Sequence, residues 1–195
     1  MPIVDSKSGK IRKNYSIEEL AEAARLMRGY NMISLCAAGS GHAGGTMSVM
    51  DITAALYLHV AEHDPKDPFW DGRDRIIWST GHKAPSLYIG LGMAGYFNID
   101  DVVTLRKLYS PFQGHPHWLK LDGVEASTGS LGQGLCAGLG MALSGKLRKA
   151  DYRVWVIIGD GESQEGSIWE AAMAAAAFGV DNLTAILDYN RIQND

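Results

Sequence analysis

Two apolar runs in the last third of the chain predict neighbouring strands of one parallel sheet. Residues 152–158 are almost continuously apolar and stop at the Gly-Asp-Gly turn 159–161, and residues 183–189 form a second such run. Between them, residues 167–178 are rich in alanine and have helical character. Continuous apolar runs are typical of strands buried on both faces. A strand, a helix and a strand of these lengths predict a right-handed crossover, so we expect an α/β fold in which helices flank a parallel sheet.

The first half of the chain has mainly helical periodicity. Ser16 and Glu19 have the spacing of a capping box, which predicts that a helix begins there. Residues 47–60 are also apolar with helical character, residues 75–80 are a short strand candidate, and Pro85 suits the first turn of a helix. The apolar face of the first helix is expected to comprise Leu20, Ala23, Ala24, Met27 and Met32.

Two stretches lack regular periodicity. Residues 1–14 are polar and mixed in charge, which predicts a loose N-terminal leader, so one domain is expected over residues 15–195. Residues 109–130 contain prolines and glycines without a clear repeat. A long irregular stretch inside a compact domain is more often functional than idle, so we expect this loop to contribute to a site.

Composition narrows the class of protein. With 195 residues, 46% of them hydrophobic, the chain can form one sizeable core, and its net charge of -4 offers no basic patch for nucleic acid. No window reaches the roughly 18 apolar residues of a membrane span, and the N-terminus lacks the apolar segment of a signal peptide. Cys36 and Cys136 have no CxxC spacing, which predicts two buried, reduced thiols. We therefore expect a cytoplasmic protein.

Polar residues follow both apolar runs at the points where the predicted strands end. Asp160 follows the first strand and Asn190 follows the second. The carboxyl ends of parallel strands meet at one edge of a sheet, where ligands of open α/β sheets bind. Carboxylate and amide oxygens are hard ligands suited to Mg²⁺, and the glycines beside Asp160 let the backbone approach a diphosphate. The sequence therefore predicts a metal and diphosphate site at this edge.

The spacing of Asp160 and Asn190 resembles the thiamine-diphosphate motif, in which GDG is followed about thirty residues later by Asn. An isolated GDG turn is a weak signal, but further motifs resemble the transketolase family in their order and approximate spacing. The resemblance runs from about Tyr15 to the end of the chain. The matching segments are SGH at 40–42, GRDRIIWSTGHKAPSLY at 72–88, GHP at 114–116, GVE at 123–125, TGSLGQG at 128–134, GE at 161–162, EG at 165–166 and WEAA at 169–172.

This resemblance implies a fold and a metal site. The fold would be the thiamine-diphosphate-binding (PP-domain) type. Asp160 and Asn190 would bind Mg²⁺ together with the backbone carbonyl of Ile192. His82 and Gly161 would contact the diphosphate of the cofactor.

The resemblance also implies contacts at the other end of the cofactor. Gly129 and Leu131 would lie at the aminopyrimidine ring. Glu165 would link the cofactor sites of two subunits through hydrogen bonds, which places it among the cofactor-binding residues and at a dimer interface.

Three histidines would be catalytic, because His42, His82 and His115 would surround the reactive carbon of the thiazolium ring. Ketol transfer cleaves the carbon–carbon bond beside a ketose carbonyl, with the cofactor as electron sink. Imidazoles change protonation near neutral pH, which suits the proton transfers on sugar hydroxyls. The remaining histidines are expected to be structural: His59, His63 and His117.

The family activates the cofactor through a glutamate on a pyrimidine-binding domain that is not in this sequence. The segment 114–134 is similar to split transketolases, in which a second, C-terminal subunit carries that domain. The expected partner is such a subunit, in a dimer or heterotetramer. The chain also stops five residues after Asn190, so we expect a partial domain with an incomplete sheet.

The expected reaction is transfer of a two-carbon ketol unit from a ketose to an aldose, with phosphorylated sugars as substrates. Two alternatives are a catalytically silent scaffold that binds the cofactor and another thiamine-diphosphate enzyme, such as a 1-deoxyxylulose-5-phosphate synthase. A nucleotide-binding module is a weaker alternative. Its glycine-rich stretch, residues 39–45, follows a helix instead of a strand and lacks the lysine of a P-loop.

Overall fold

The computed structural model describes residues 15–193, so the predicted leader, residues 1–14, lies outside the described residues. Residues 105–130 form an irregular loop, as the sequence predicts for 109–130. The elements are α1 (Ile17–Ala38), α2 (Ala43–Ser48), α3 (Met50–Ala55, continued by a π-helical turn at Leu56–Val60), β1 (Arg75–Trp78), a 3-10 turn (Gly81–Lys83), α4 (Ala84–Ala94), a 3-10 helix (Ile99–Thr104), α5 (Gln133–Arg148), β2 (Val154–Gly159), a 3-10 turn (Glu162–Gln164), α6 (Gly166–Ala177) and β3 (Leu183–Asp188).

The sheet is parallel and has the strand order β1-β2-β3 within residues 15–193. Arg75 pairs with Val154 at the start of the sheet, and Gly159 pairs with Asp188 at its carboxyl edge. The crossover through α6 is therefore the one that the two apolar runs predict. The prediction of a parallel sheet flanked by helices is confirmed.

Alternate strand residues enter two separate cores, because successive side chains of a strand point to opposite faces. Ile77 and Val156 pack with α5 and α6 on one face. Trp78 and Ile157 pack with α4 and the π-helical turn on the other face. Every residue of α4, from Ala84 to Ala94, is buried, so this helix lies at the centre of the fold.

Helix α1 begins with the predicted capping box, in which the Ser16 hydroxyl accepts from the Glu19 amide and the Glu19 carboxylate accepts from the Ser16 amide. Its predicted face is confirmed at Ala23, Ala24 and Met27 but is wrong at Met32, which is 46% exposed. Successive helical residues turn by about 100°. Asn31 continues the buried stripe, so its neighbour Met32 is turned towards solvent.

Two other predictions of burial are wrong. Strand β3 is half-exposed, with Leu187 46% exposed, because β2 is its only neighbour in the described sheet. Both cysteines are free, as predicted, but Cys36 is exposed and Cys136 is half-buried. Cys36 lies on the solvent side of α1, although its neighbour Leu35 is buried. Apolar neighbours in the sequence therefore do not by themselves bury a helical residue.

Candidate functional site

The carboxyl edge of the sheet brings Asp160 to the segment that follows β3. Because Gly159 pairs with Asp188, the residue after β2 lies beside the first residues after β3. The Asp160 carboxylate accepts a hydrogen bond from the Gly161 amide at 3.0 Å and one from the Arg191 amide at 2.7 Å. The carboxylate is thus fixed next to the residue that follows Asn190.

The side chain of Asn190 is oriented by hydrogen bonds at both ends. Its amide nitrogen donates to Asp188 Oδ2 at 3.2 Å and to Ser48 Oγ at 3.4 Å. Its carbonyl oxygen accepts from the Ile192 amide at 3.0 Å, across a turn in which Arg191 has a φ of 62°. Asp160, Asn190 and Ile192 therefore lie on two adjacent loops.

A buried ion pair lies beneath these loops and was not predicted from the sequence. Lys83 Nζ donates to Asp188 Oδ2, and both side chains are almost fully buried. Ser48 donates to the same carboxylate oxygen at 2.6 Å. A lysine directly after the GH motif and an aspartate at the end of an apolar run were the available signals. The pair joins the start of α4 to the end of β3.

Glu162 is a second buried carboxylate to which the sequence assigned no role. Its Oε1 atom accepts from the Gly132 amide at 2.8 Å and from the Ser79 hydroxyl, and its Oε2 atom accepts from the Gly159 amide at 3.1 Å. The sequence offered two signals, a glutamate in a turn, where residues are usually exposed, and its place in the GE segment 161–162. Three separate segments of the site meet at this carboxylate.

The structure brings the three predicted catalytic histidines together. The rings of His42 and His82 are 5.2 Å apart between centroids, in an edge-to-face arrangement. Burial lowers the pKa of His82 to about 4, and the positive charges of Lys83, His42 and His115 act in the same direction. His82 is half-buried, whereas His42 and His115 are exposed. His82 is therefore neutral at physiological pH.

The loop that carries Gly129 packs directly on the segment that carries His82. A Cβ atom on Gly81 would lie 2.6 Å from the backbone nitrogen of Gly129, so no side chain fits between the two backbones. Gly129 has a φ of 151°, and a Cβ there would lie 3.1 Å from the ring of His115. Leu131 lies half-buried on the same loop. The Gly129–Leu131 loop thus borders the histidine cluster.

Glu165 and two of the other histidines differ in their surroundings. Glu165 is exposed at the residue before α6, and its Cβ atom lies 3.0 Å from the position that a Cβ on Gly132 would take. His59 is exposed, and His63 is buried, with its ring bonded to Tyr96 Oη and the Tyr57 carbonyl. These contacts favour a structural role for His63.

The donor groups at this edge fit a hard cation and a diphosphate. Asp160, Asn190 and the carbonyl of Ile192 would offer three oxygens, and Mg²⁺ commonly completes its shell with water and phosphate oxygens. The Thr80 hydroxyl is buried and has no hydrogen-bond partner among residues 15–193, as is typical of a group that a ligand or water satisfies. Residues 15–193 contain no group of three His, Cys, Asp or Glu side chains placed to hold a metal. The set of Asp160, Asn190 and the Ile192 carbonyl contains only one carboxylate, so it does not form such a group.

A cleft of about 440 Å³ opens beside Asp160 between β3 and the turn that follows β2. The side chain of Gln193 lies in it, and a Cβ atom on Gly161 would be 3.1 Å from that side chain. A ligand that contacts Gly161 would therefore meet or displace Gln193.

Within residues 15–193, no helix has both the length and the apolar character to cross a bilayer.

Comparisons with known proteins show the family to which this chain belongs. The family model described as transketolase, thiamine diphosphate binding domain, matches residues 18–195. The 6-deoxy-6-sulfo-D-fructose transketolase subunit of Clostridium sp. (strain MSTE9) is 40% identical over 177 residues, which is 91% of this chain and 64% of that protein. An apulose-4-phosphate transketolase subunit of Phocaeicola vulgatus is 43% identical over 156 residues, 80% of this chain and 55% of that protein.

A solved structure agrees as well. Transketolase from Campylobacter jejuni superposes with a TM-score of 0.86 at 34% sequence identity, covering 92% of this chain and 29% of that one. The chain therefore spans less than two thirds of the length of each of these relatives.

Proposed function

Because the chain belongs to the transketolase family, whose thiamine diphosphate binding domain it matches, we propose that it is the cofactor-binding component of a split transketolase. It would transfer a two-carbon ketol unit from a ketose to an aldose. The observation that carries the proposal is the link between the histidine cluster and the loops of Asp160 and Asn190. Lys83, which follows His82, and Asn190 both donate to Asp188, and Asp160 accepts from the residue after Asn190.

The cofactor would be held at the carboxyl edge of the sheet. Thiamine diphosphate supplies the electron sink for cleavage of the carbon–carbon bond beside a ketose carbonyl. Asp160, Asn190 and the carbonyl of Ile192 would hold Mg²⁺, and Gly161 and His82 would contact the diphosphate. Gly129 and Leu131 would border the aminopyrimidine ring, and Glu165 would face the second subunit.

The histidine cluster supplies proton transfers to the sugar. A neutral imidazole can accept a proton from a hydroxyl, and the lowered pKa of His82 keeps it neutral at physiological pH. His42 and His115 are exposed, so they can donate to or accept from substrate hydroxyls. The three histidines would therefore share the proton transfers with substrate hydroxyls, so that no single residue acts as the only base.

The substrates would be anionic sugars, and phosphorylated ketoses and aldoses are the class we propose. The two subunit relatives are named for a sulfo sugar and a sugar phosphate, and both sugars carry an anionic group. Cytoplasmic metabolism of phosphorylated pentoses and heptoses is the expected setting.

Activity would require a partner with a pyrimidine-binding domain, in a dimer or heterotetramer. Two relatives are named as transketolase subunits, so a split arrangement occurs among proteins similar to this chain. The partner would supply the glutamate that activates the cofactor.

Calorimetric titration tests the proposal. Thiamine diphosphate and Mg²⁺ are titrated into this chain, alone and with a purified pyrimidine-domain subunit of a split transketolase, and into Asp160→Ala. Saturable binding that needs the partner and is lost in the variant is expected. Absence of binding in both settings, with the chain folded, would refute the cofactor assignment.

Turnover of a phosphorylated ketose by the assembled complex separates the enzyme from its alternatives. Ketol transfer to an aldose phosphate supports a transketolase. Cofactor binding without turnover would instead indicate a silent scaffold, and decarboxylation of pyruvate would indicate a 1-deoxyxylulose-5-phosphate synthase.

A further inference from the structure

Glu162 is a buried carboxylate that the proposed catalytic and metal-binding roles do not use. Its side chain lies in the interior, with the residue only 2% exposed. The three groups that donate to it, the amides of Gly132 and Gly159 and the hydroxyl of Ser79, are all neutral. Burial of a charge is unfavourable unless hydrogen bonds compensate it, so three donors on one carboxylate indicate a specific arrangement.

The three donors belong to the three segments that build the site. Ser79 lies between β1 and the turn that carries His82. Gly132 ends the Gly129–Leu131 loop and precedes α5, and Gly159 precedes Asp160. Each oxygen of the carboxylate accepts from one of the two backbone amides, at 2.8 Å and 3.1 Å. The side chain therefore ties the Gly129–Leu131 loop, the turn that carries His82 and the residue before Asp160 to one small group.

The helix that follows the loop depends on the same carboxylate. Gly132 occupies the N-cap position of α5 and has no side chain with which to cap it. Glu162 accepts the Gly132 amide from a distant segment and places a negative charge at the positive end of the helix. A Cβ on Gly132 would lie 2.3 Å from Ser167 Oγ, so the loop also packs against the start of α6. The Gly129–Leu131 loop therefore has little room to shift.

We propose that Glu162 is a positioning residue that sets a separation within the site. One side is the Gly129–Leu131 loop, which faces the aminopyrimidine end of thiamine diphosphate, and the other is the pair of turns that carry His82 and Gly161, which face its diphosphate end. This proposal rests on the function proposed above. A ligand that spans both segments binds well only at the matching separation. Inorganic diphosphate would contact only the turns that carry His82 and Gly161 and would not reach the Gly129–Leu131 loop, so its binding does not depend on that separation.

The test compares two ligands on one variant. Glu162→Gln keeps the shape of the side chain but replaces one acceptor oxygen by an NH₂ group, which opposes an N–H or O–H donor. Thiamine diphosphate and inorganic diphosphate, each with saturating Mg²⁺, are titrated by calorimetry into the complex with the pyrimidine-domain subunit. We expect thiamine diphosphate to bind about tenfold more weakly or worse, and inorganic diphosphate to change less than about twofold.

Glu170→Gln is the matched control, because it makes the same chemical change at an exposed position of α6. It should leave both affinities at their wild-type values. If Glu162→Gln does not fold, Glu162→Asp is measured in its place, since it keeps the charge but is one methylene too short to reach both amides.

Unchanged binding of thiamine diphosphate in a folded Glu162 variant would overturn the proposal. Equal weakening of both ligands would also overturn it, because a general loss of structure predicts that result. Failure of inorganic diphosphate to bind the wild-type complex would overturn it too, since a separate diphosphate end is part of it. Failure of wild type to bind thiamine diphosphate would instead refute the proposed function, and is recognised before any variant is made.

Discussion

Two buried carboxylates lie at the carboxyl edge of the sheet, Asp188 at the end of β3 and Glu162 in the turn after β2, and they are stabilised in different ways. Asp188 is paired with the cation of Lys83 and also accepts from Ser48. Glu162 accepts only from neutral donors, of which two are backbone amides. Both residues are nearly inaccessible, at 6% and 2% exposure. The charge of Asp188 is balanced by the full positive charge of Lys83, whereas the charge of Glu162 is balanced by the dipoles of neutral donors.

The difference predicts unequal consequences of mutation. Removing one partner of a buried ion pair leaves an uncompensated charge, which destabilises a protein by about 3–5 kcal/mol. Removing one neutral hydrogen bond from a buried group destabilises by about 1–3 kcal/mol. The Lys83–Asp188 pair should therefore govern folding, and Glu162 should govern the shape of the site.

The largest expected effect is that of Lys83→Met, which leaves Asp188 buried without its cation. The free energy of unfolding, measured by urea denaturation, should fall by about 3–5 kcal/mol. Lys66→Met is the control, because Lys66 is exposed, and should change it by less than about 0.5 kcal/mol. A loss below about 1 kcal/mol in Lys83→Met would contradict the role given to the ion pair.

Asp188→Asn should have the next largest effect, since an amide keeps the shape and one acceptor but loses the charge. We expect a loss of about 3 kcal/mol, the lower end of the range for a broken buried ion pair, because the amide oxygen can still accept from Lys83. Asn190 also loses a carboxylate partner for its amide nitrogen, so Mg²⁺ affinity should fall about tenfold. Metal titration of the cofactor-bound complex measures the second change, and unaltered affinity would argue against a link to Asn190.

Ser79→Ala should have a smaller effect, because it removes one of the three donors to Glu162 and leaves both amides in place. The expected loss of stability is about 1 kcal/mol, measured by thermal or urea unfolding. A loss as large as that of Lys83→Met would show that the two carboxylates do not differ in the way described.

The smallest expected effect at neutral pH is that of His82, which contributes a pH dependence only below its ordinary pKa. The pKa of His82 is lowered from 6.5 to about 4 in the folded protein. Between these values the unfolded chain binds a proton that the folded chain does not, so stability should fall as the pH drops through this window. His82→Gln should flatten that part of a stability–pH curve. An identical slope in the variant would show that another group titrates there.

The meeting of Asp160 and Asn190 could be predicted from the sequence, because strand length and crossover topology fix which residues share the carboxyl edge. The partners of the two buried carboxylates could not. Lys83 is 105 positions from Asp188 and Ser79 is 83 positions from Glu162, and no periodicity relates residues across such separations. Charged residues are seldom fully buried, so an interior location is not the first interpretation of a charged position.

The burial of strand β3 was overestimated for a related reason. An apolar run indicates that a segment prefers the interior, but its exposure depends on whether neighbours cover both of its sides. The pattern of residues 183–189 contains no information about those neighbours, whereas that of residues 152–158 was correct because β1 and β3 both pair with β2.

The complete burial of α4 has a consequence for the timescales of motion at the site. Amide hydrogens of a fully enclosed helix exchange with solvent only when the whole domain opens, whereas those of a half-exposed edge strand exchange through local fraying. One residue separates His82 from the start of α4, and one residue separates Asn190 from the end of β3. Among residues 15–193, we therefore expect His82 to be anchored to a slowly exchanging helix and Asn190 to a faster-exchanging strand.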